Sequence, residues 1–188
     1  MNIFIDTISP LWKIILYADG KIIKEKDLKI LWSEYSLFLD ELMAFLDENE
    51  VSLKDLDRLV VVNWPGWFTG TRIMALIANT IKFVHDIPLG SIDYFRLLEL
   101  SGLGYPMIIK ANRTEYLLKS KPLSDPVIVP KAEIVPREYS WIWDELDFEN
   151  QKVSIKWIWD YEKLIENLES DWNLEKIEPY YIKKPNIT

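Results

Sequence analysis

The stretch NWPGWFTGTR, residues 63–72, decides how the rest of the chain is interpreted. It follows the apolar run LVVV at residues 59–62 and precedes a long apolar run with a helical pattern. Glycine-containing turns between a strand and a helix often hold a phosphate. Here no Lys-Ser or Lys-Thr pair follows the glycines, as a P-loop requires, and Trp64 and Trp67 would crowd a phosphate beside Gly66. The stretch therefore predicts a structural corner that starts a helix.

The composition limits the chemistry that the chain can perform. Its 188 residues fit one large domain or two small lobes that share a core. Acidic residues outnumber basic ones by 30 to 22, and the net charge of −8 argues against a direct grip on nucleic acid by this chain alone. Cysteine is absent and there is one His, which excludes thiolate nucleophiles and a multi-His metal centre within the chain. Neither a signal peptide nor an apolar run of membrane-spanning length is recognisable, so we expect a cytoplasmic protein that does not enter a membrane.

The pattern along the chain predicts an α/β fold with a mixed sheet. Strands are expected at residues 2–6, 11–18 and 21–26, with Asp19 and Gly20 as a hairpin turn, followed by a helix at 31–48, a buried strand at 59–62 and a helix at 71–85. A connector at 87–90, a helix at 91–100, a break at 102–106, strands at 107–111, 115–120 and 127–129, and a helix at 160–171 complete the pattern. This order predicts a first lobe at residues 1–103 and a shorter second lobe at 104–188.

A short motif, called the aromatic echo below, occurs twice in the second half of the chain. The motif WIWD occurs at residues 141–144 and again at 157–160. It indicates either two neighbouring strands or a chance recurrence of aromatic residues.

The first two long helices are apolar over more of their circumference than one sheet face requires. On the first, Trp32, Leu39 and Met43 widen the apolar stripe, and on the second Leu76 and Phe83 lie well around from the main stripe. A helix of this kind is normally buried on more than one side, by a thicker core or by a partner. We predict that both helices contact the sheet and a partner protein, with these interface residues: Tyr35, Phe38, Leu42, Phe45, Ile73, Met74, Ile77 and Ile81.

Residues with catalytic potential are few. Asp6 ends the first strand, where it could face a metal or phosphate or close the strand with a turn; Pro10 lacks an N–H donor and favours the turn. His85 near the end of the second helix has no evident nucleophile or metal partner in the sequence. We therefore predict no catalytic residue, no cofactor site and no metal site.

At these residues the chain resembles the TsaB (YeaZ) family. The segment 65–73 is similar to that family's PGSFTGLRI motif, with Trp67 in place of Ser and Thr71 in place of Leu. Further similarity lies at residues 6–7, 53–57, 87–98, 110–116 and 178–182, whereas residues 121–177 match poorly. The residues assigned to the family motif are Asp6, Pro65, Gly66, Phe68, Thr69, Gly70 and Arg72.

The resemblance implies an actin-like, Hsp70-like and sugar-kinase-like (ASKHA) fold with a reduced C-terminal lobe and no catalysis of its own. It implies a scaffold or activator subunit of the machinery that makes threonylcarbamoyladenosine next to the tRNA anticodon. Its partners would be the catalytic paralogue TsaD, which pairs with the first two helices, and the ATPase TsaE, with little direct tRNA contact. Two alternatives remain open: an ATP-dependent kinase of the same fold, and a homodimer that uses the same helices on itself.

Overall fold

The computed structural model describes residues 1–7, 12–28, 37–64, 68–112, 114–135, 138–140, 155–156, 160–168 and 173–179. The chain divides into two compact units, Met1–Tyr94 with Ile165–Thr188, and Phe95–Leu164. The predicted boundary at residue 103 lies inside the second unit. The chain end, which the sequence placed in a second lobe, groups with the first unit.

The first unit contains a five-stranded mixed sheet. Its strands are β1 (Asn2–Asp6), β2 (Trp12–Ala18), β3 (Lys21–Leu28), β4 (Arg58–Trp64) and β5 (Leu89–Asp93), in the order β3-β2-β1-β4-β5. The β1–β2 and β2–β3 pairs are antiparallel, whereas β1–β4 and β4–β5 are parallel. Asp19 and Gly20 both have positive φ, 50° and 70°, as the tight turn between β2 and β3 requires. The predicted meander and mixed sheet are therefore confirmed.

Two helices cover one face of this sheet. They are α1 (Leu37–Glu48) and α2 (Phe68–His85). Residues of both helices share a core cluster with Ile3, Ile5, Leu59, Val61 and Leu89, which alternate along the strands and so point to one face. Their neighbours Phe4 and Val60 are also fully buried, so β1 and β4 are covered on both faces, as expected for central strands.

Strand β5 corrects the predicted connector at residues 87–90 and the predicted helix start at Ser91. The chain remains extended through Leu89–Asp93, and helix α3 begins at Tyr94 and ends at Leu100. Gly90 and Ser91 have low strand propensity, but Leu59 pairs with Leu89 and Val62 with Ile92. Burial of Leu89 and Ile92 beside β4 outweighs the local preference.

The second unit contains a separate mixed sheet. Its strands are β6 (Met107–Lys110), β7 (Glu115–Lys119), β8 (Val127–Pro130), β9 (Tyr139–Ser140) and β10 (Ile155–Lys156), in the order β10-β9-β6-β7-β8. Helix α4 begins at Tyr161, where Asp160 caps it by accepting a hydrogen bond from the Lys163 amide (2.9 Å), and it ends at Glu166, within the predicted range.

The aromatic echo is adjacent to two paired strands. Strands β9 and β10 are parallel, and Tyr139 pairs with Ile155 and Ser140 with Lys156. Each strand directly precedes one copy of the echo, and the pairing has the same offset as the echo. The tryptophans themselves lie outside the described residues.

Candidate docking surface on helices α1 and α2

Helix α1 places most of its predicted interface residues in the core. Phe38, Leu42 and Phe45 are at most 3% exposed, because their spacing of four and three residues turns them toward the sheet. Phe38 also contacts Trp12 of β2 edge-on, with ring centroids 6.4 Å apart. These three residues therefore line the core beneath the helix, and Tyr35 lies outside the described residues.

Helix α1 also exposes apolar side chains on one flank of its buried stripe. Leu39 and Met43 are each 45% exposed. They are four residues apart, so they are neighbours on one flank of α1, beside the buried stripe that includes Leu46. The sequence already indicated an apolar stripe wider than the sheet face, and these two residues were part of it.

Helix α2 also has both buried and exposed apolar side chains, and its exposed ones are more accessible than those of α1. Met74 and Ile81 are buried, and Ile73 and Ile77 are half-buried. The large apolar side chains that α2 exposes are Leu76 (66%), Phe83 (90%) and Val84 (63%). The docking surface, as we define it, consists of Leu39, Met43, Leu76, Phe83 and Val84, with Ile73 and Ile77 at its edge.

An ion-pair network ties α1 to the sheet. Lys26 of β3 contacts Glu41 (3.1 Å) and Glu48 (3.7 Å). The hydrogen bond to Glu41, with the negative charges of both carboxylates, raises the pKa of Lys26. Exposed ion pairs of this kind add little stability, so their effect is mainly to fix the position of α1 over β3.

A C-terminal segment, residues 173–179, lies beside α2. The Asn79 side chain accepts a hydrogen bond from the Ile177 amide (2.7 Å) and donates one to the Ile177 carbonyl (2.9 Å). The Lys82 ammonium donates to Asn173 (3.1 Å), and the Leu174 amide donates to the Leu89 carbonyl of β5 (2.7 Å). Nothing in the sequence pattern pointed to Asn79, because a single amide on a helix carries no periodic signal.

The family-motif residues are only partly described. Asp6 is fully buried at the end of β1, opposite Lys13 of β2, and Arg72 is exposed on α2. The backbone of Phe68, Thr69 and Gly70 forms the first turn of α2. Pro65 and Gly66 lie outside the described residues. The centre of the predicted corner therefore lies outside the described residues, and α2 begins directly after it at Phe68.

Lys13 is held in place by two carboxylates of β3. Its ammonium contacts Asp27 (2.9 Å) and Glu25 (3.1 Å) of β3. Burial favours the neutral amine, but hydrogen bonds to Asp27 and Glu25 outweigh this and raise the pKa of Lys13. Within the described ranges, no group of three or more His, Cys, Asp or Glu is placed to hold a metal ion. No helix in the same ranges is long and apolar enough to cross a bilayer.

Sequence comparisons point to one group of proteins. The family model TsaD, described as tRNA N6-adenosine threonylcarbamoyltransferase, matches residues 37–110, a span that includes both α1 and α2. The tRNA threonylcarbamoyladenosine biosynthesis protein TsaB of Bacillus subtilis (strain 168) is 29% identical over 66 residues. That match covers 35% of this chain and 29% of the relative's length.

Comparison with solved structures extends over most of the chain. YeaZ from Pseudomonas aeruginosa has a TM-score of 0.64 and 18% identity to this chain. The match covers 88% of this chain and 89% of the YeaZ chain. A second structure is that of a protein with similarity to the peptidase YEAZ from Pseudomonas aeruginosa. It has a TM-score of 0.63 and 17% identity, and the match covers 83% of this chain and 84% of that protein. At these identities the likeness concerns the fold, and it confirms the predicted ASKHA-like α/β fold.

Proposed function

We propose that this chain, whose assignment to the TsaB/YeaZ family the sequence and structural comparisons support, acts in threonylcarbamoyladenosine modification of tRNA. It acts there as a non-catalytic scaffold subunit in the cytoplasm. Its partner is a TsaD-family chain that carries the catalytic residues, and a TsaE-type ATPase binds to the pair.

The observation that carries this proposal is the apolar docking surface. The two helices share one core cluster with the sheet, yet each also exposes large apolar residues outside that cluster. Phe83 at 90% exposure and Leu76 at 66% would be costly to leave in water, at about 25 cal/mol per Å² of apolar area. Groups of large exposed apolar side chains often mark protein interaction sites.

The charge of the chain supports the division of labour. With a net charge of −8, this subunit would repel tRNA phosphates rather than attract them. Most of the tRNA contact therefore falls to the partner, and this chain contributes the surface on which the partner is held.

The direct test is binding of the TsaD-family partner from the same host to two variants, Leu76→Asp and Phe83→Asp. Both side chains are exposed, so both variants should fold, while a charge in the apolar centre of an interface should raise Kd at least tenfold. The matched control is Leu123→Asp, because Leu123 is a fully exposed leucine of the second unit. Calorimetry would measure Kd, and circular dichroism would verify folding.

A cellular experiment links binding to function. In a host depleted of this protein, tRNA should lose threonylcarbamoyladenosine, as measured by mass spectrometry of nucleosides. The wild type and Leu123→Asp should restore it, and Leu76→Asp should not. Normal binding and full rescue by folded Leu76→Asp and Phe83→Asp would contradict the proposal.

The same surface could pair two copies of this chain when the partner is absent. Light scattering of the isolated protein would detect such a dimer, and Leu76→Asp should make it monomeric. Addition of the TsaD-family chain should then replace the homodimer by a heterodimer, because both use the same apolar residues.

A further inference from the structure

The C-terminal segment is held against α2 by side chains of the helix and by neighbouring strands. Asn79 makes two hydrogen bonds to the Ile177 backbone, much as a neighbouring strand would. Asn63 of β4 donates a hydrogen bond to the Glu178 carbonyl (3.0 Å). The Ile177 side chain is 3% exposed and belongs to the same core cluster as α1 and α2. The segment is therefore an integral part of the first unit.

The attachment point lies next to the most exposed apolar side chains of α2. Asn79 is three residues after Leu76 and four residues before Phe83, and residues at these spacings are neighbours on a helix surface. A partner that covers Leu76 and Phe83 consequently reaches the segment that Asn79 holds. Leu174, at 38% exposure, offers this partner a further apolar side chain.

The borders of the surface carry charges of both signs: on α2, Arg72 is exposed four residues before Leu76 and Lys82 binds Asn173 of the segment, whereas the segment itself and α1 contribute acidic residues. On the segment, Lys176 is ion-paired with Glu178 (2.6 Å), which leaves the exposed Glu175 as its excess charge. On α1, Asp40 and Asp47 are exposed. An apolar centre with a polar rim is the usual anatomy of a protein interface, and rim charges act mainly on the rate of association.

We infer that residues 173–179 form one rim of the docking surface and, with the acidic residues of α1, select a protein partner whose apolar face carries basic residues opposite Glu175, Asp40 and Asp47. The inference rests on the proposed docking function and specifies the partner's chemistry. Asn79 is then a positioning residue: it does not need to touch the partner, but it holds the segment where the partner meets it.

The charge part is tested by Glu175→Lys, with Glu133→Lys as the matched control on an exposed carboxylate outside the docking surface. Association rates with the TsaD-family partner are measured at about 0.05 M and 0.5 M salt, where screening differs strongly. Glu175→Lys should slow association several-fold at low salt and much less at high salt, whereas Glu133→Lys should match the wild type. Equal rates for the two variants would overturn the acidic rim.

The positioning part is tested by Asn79→Ala. Hydrogen exchange should accelerate at residues 173–179 while amides of β1 and β4 stay protected, and Kd should rise about tenfold. Two results would overturn the inference: unchanged hydrogen exchange at residues 173–179, or faster exchange there with an unchanged Kd. The proposed function would still stand in either case if Leu76→Asp raises Kd. If Leu76→Asp and Phe83→Asp are also without effect, the proposed function fails together with it.

Discussion

Tyr17 is the residue whose burial gives the clearest pH dependence. It is 6% exposed in β2, and burial raises its pKa to about 12, although the nearby positive charge of Arg58 opposes the shift. The unfolded chain ionises this phenol near pH 10, so between pH 10 and 12 the unfolded state binds fewer protons than the folded state. Stability must therefore fall with rising pH across this window.

We expect Tyr17→Phe to remove this alkaline loss. Two pKa units correspond to roughly 2 kcal/mol of unfolding free energy by pH 12. Urea unfolding at pH 8 should show little difference between wild type and variant, and at pH 11.5 the variant should be the more stable. Parallel loss of stability in both proteins would contradict the prediction, because it would show that groups other than Tyr17 cause the alkaline loss.

Glu50 ends α1 at a conformational cost. Its φ is 57°, a region that glutamate rarely adopts. The Glu50 amide bonds to the Asp47 carbonyl (3.0 Å) and the Val51 amide to the Leu46 carbonyl (2.9 Å), the pair of bonds that defines a Schellman cap.

Glu50→Gly should stabilise the protein by roughly 0.5–1 kcal/mol, because glycine adopts the left-handed conformation without strain. Glu48→Gly, at the last residue of α1, should have the opposite sign, since glycine is less favourable than glutamate in a helix and the substitution also removes the Glu48 contact with Lys26. Chemical denaturation followed by tryptophan fluorescence would measure both. Destabilisation by Glu50→Gly would mean that the Glu50 side chain contributes more than the cap strain costs.

At the scale of elements, the sequence predicted that α1 and α2 have two apolar sides but not which side faces the sheet. Periodicity identifies a stripe only when the other side is polar, and here both sides are apolar. Five of the eight residues predicted for the interface are buried, and their regular spacing reflects the core: Phe38, Leu42, Phe45, Met74 and Ile81. The residues that widened the pattern, Leu39, Met43, Leu76 and Phe83, are the exposed ones.

The strands divide in a similar way. β1 to β3 and β4 were predictable because alternation, a two-residue turn and a β-branched run are local signals. β5 was missed because it contains Gly90 and Ser91, and only its pairing with β4 makes it a strand. The hydrogen bonds from Asn79 to the C-terminal segment were equally invisible, since the two are 98 residues apart in sequence.

The two sides of α2 should respond differently to the same substitution. Met74→Asp places a carboxylate at a position that is 2% exposed, and we expect a loss of about 4 kcal/mol or more of stability. Leu76→Asp, two residues further, should cost less than about 1 kcal/mol because Leu76 is 66% exposed. Urea unfolding of the isolated variants would compare them, and equal losses would show that Leu76 is buried in solution by this chain itself.

At the scale of the whole molecule, the first unit is not one continuous stretch of chain. Residues 1–94 contain its sheet and helices α1 and α2, and the described residues 165–168 and 173–179 also belong to it. An interpretation that follows sequence order assigns these last residues to the second lobe, because composition does not indicate that a late segment packs against an early one. The return is what allows the C-terminal segment to lie beside the docking surface.

The return of the chain end makes a final prediction about Ile177. Its side chain is 3% exposed in the core of the first unit, and its backbone is held by Asn79. Ile177→Ala should therefore cost about 2–4 kcal/mol of unfolding free energy, the usual loss for a buried isoleucine.

The matched control is Ile23→Ala on β3, which is 48% exposed and should change stability by less than about 1 kcal/mol. Hydrogen exchange should also accelerate in α2 and β5 of Ile177→Ala, since these elements contact the segment. If the two variants lose equal stability and α2 remains fully protected, the chain end does not support the first unit, and the docking surface must be held by α1, α2 and the sheet alone.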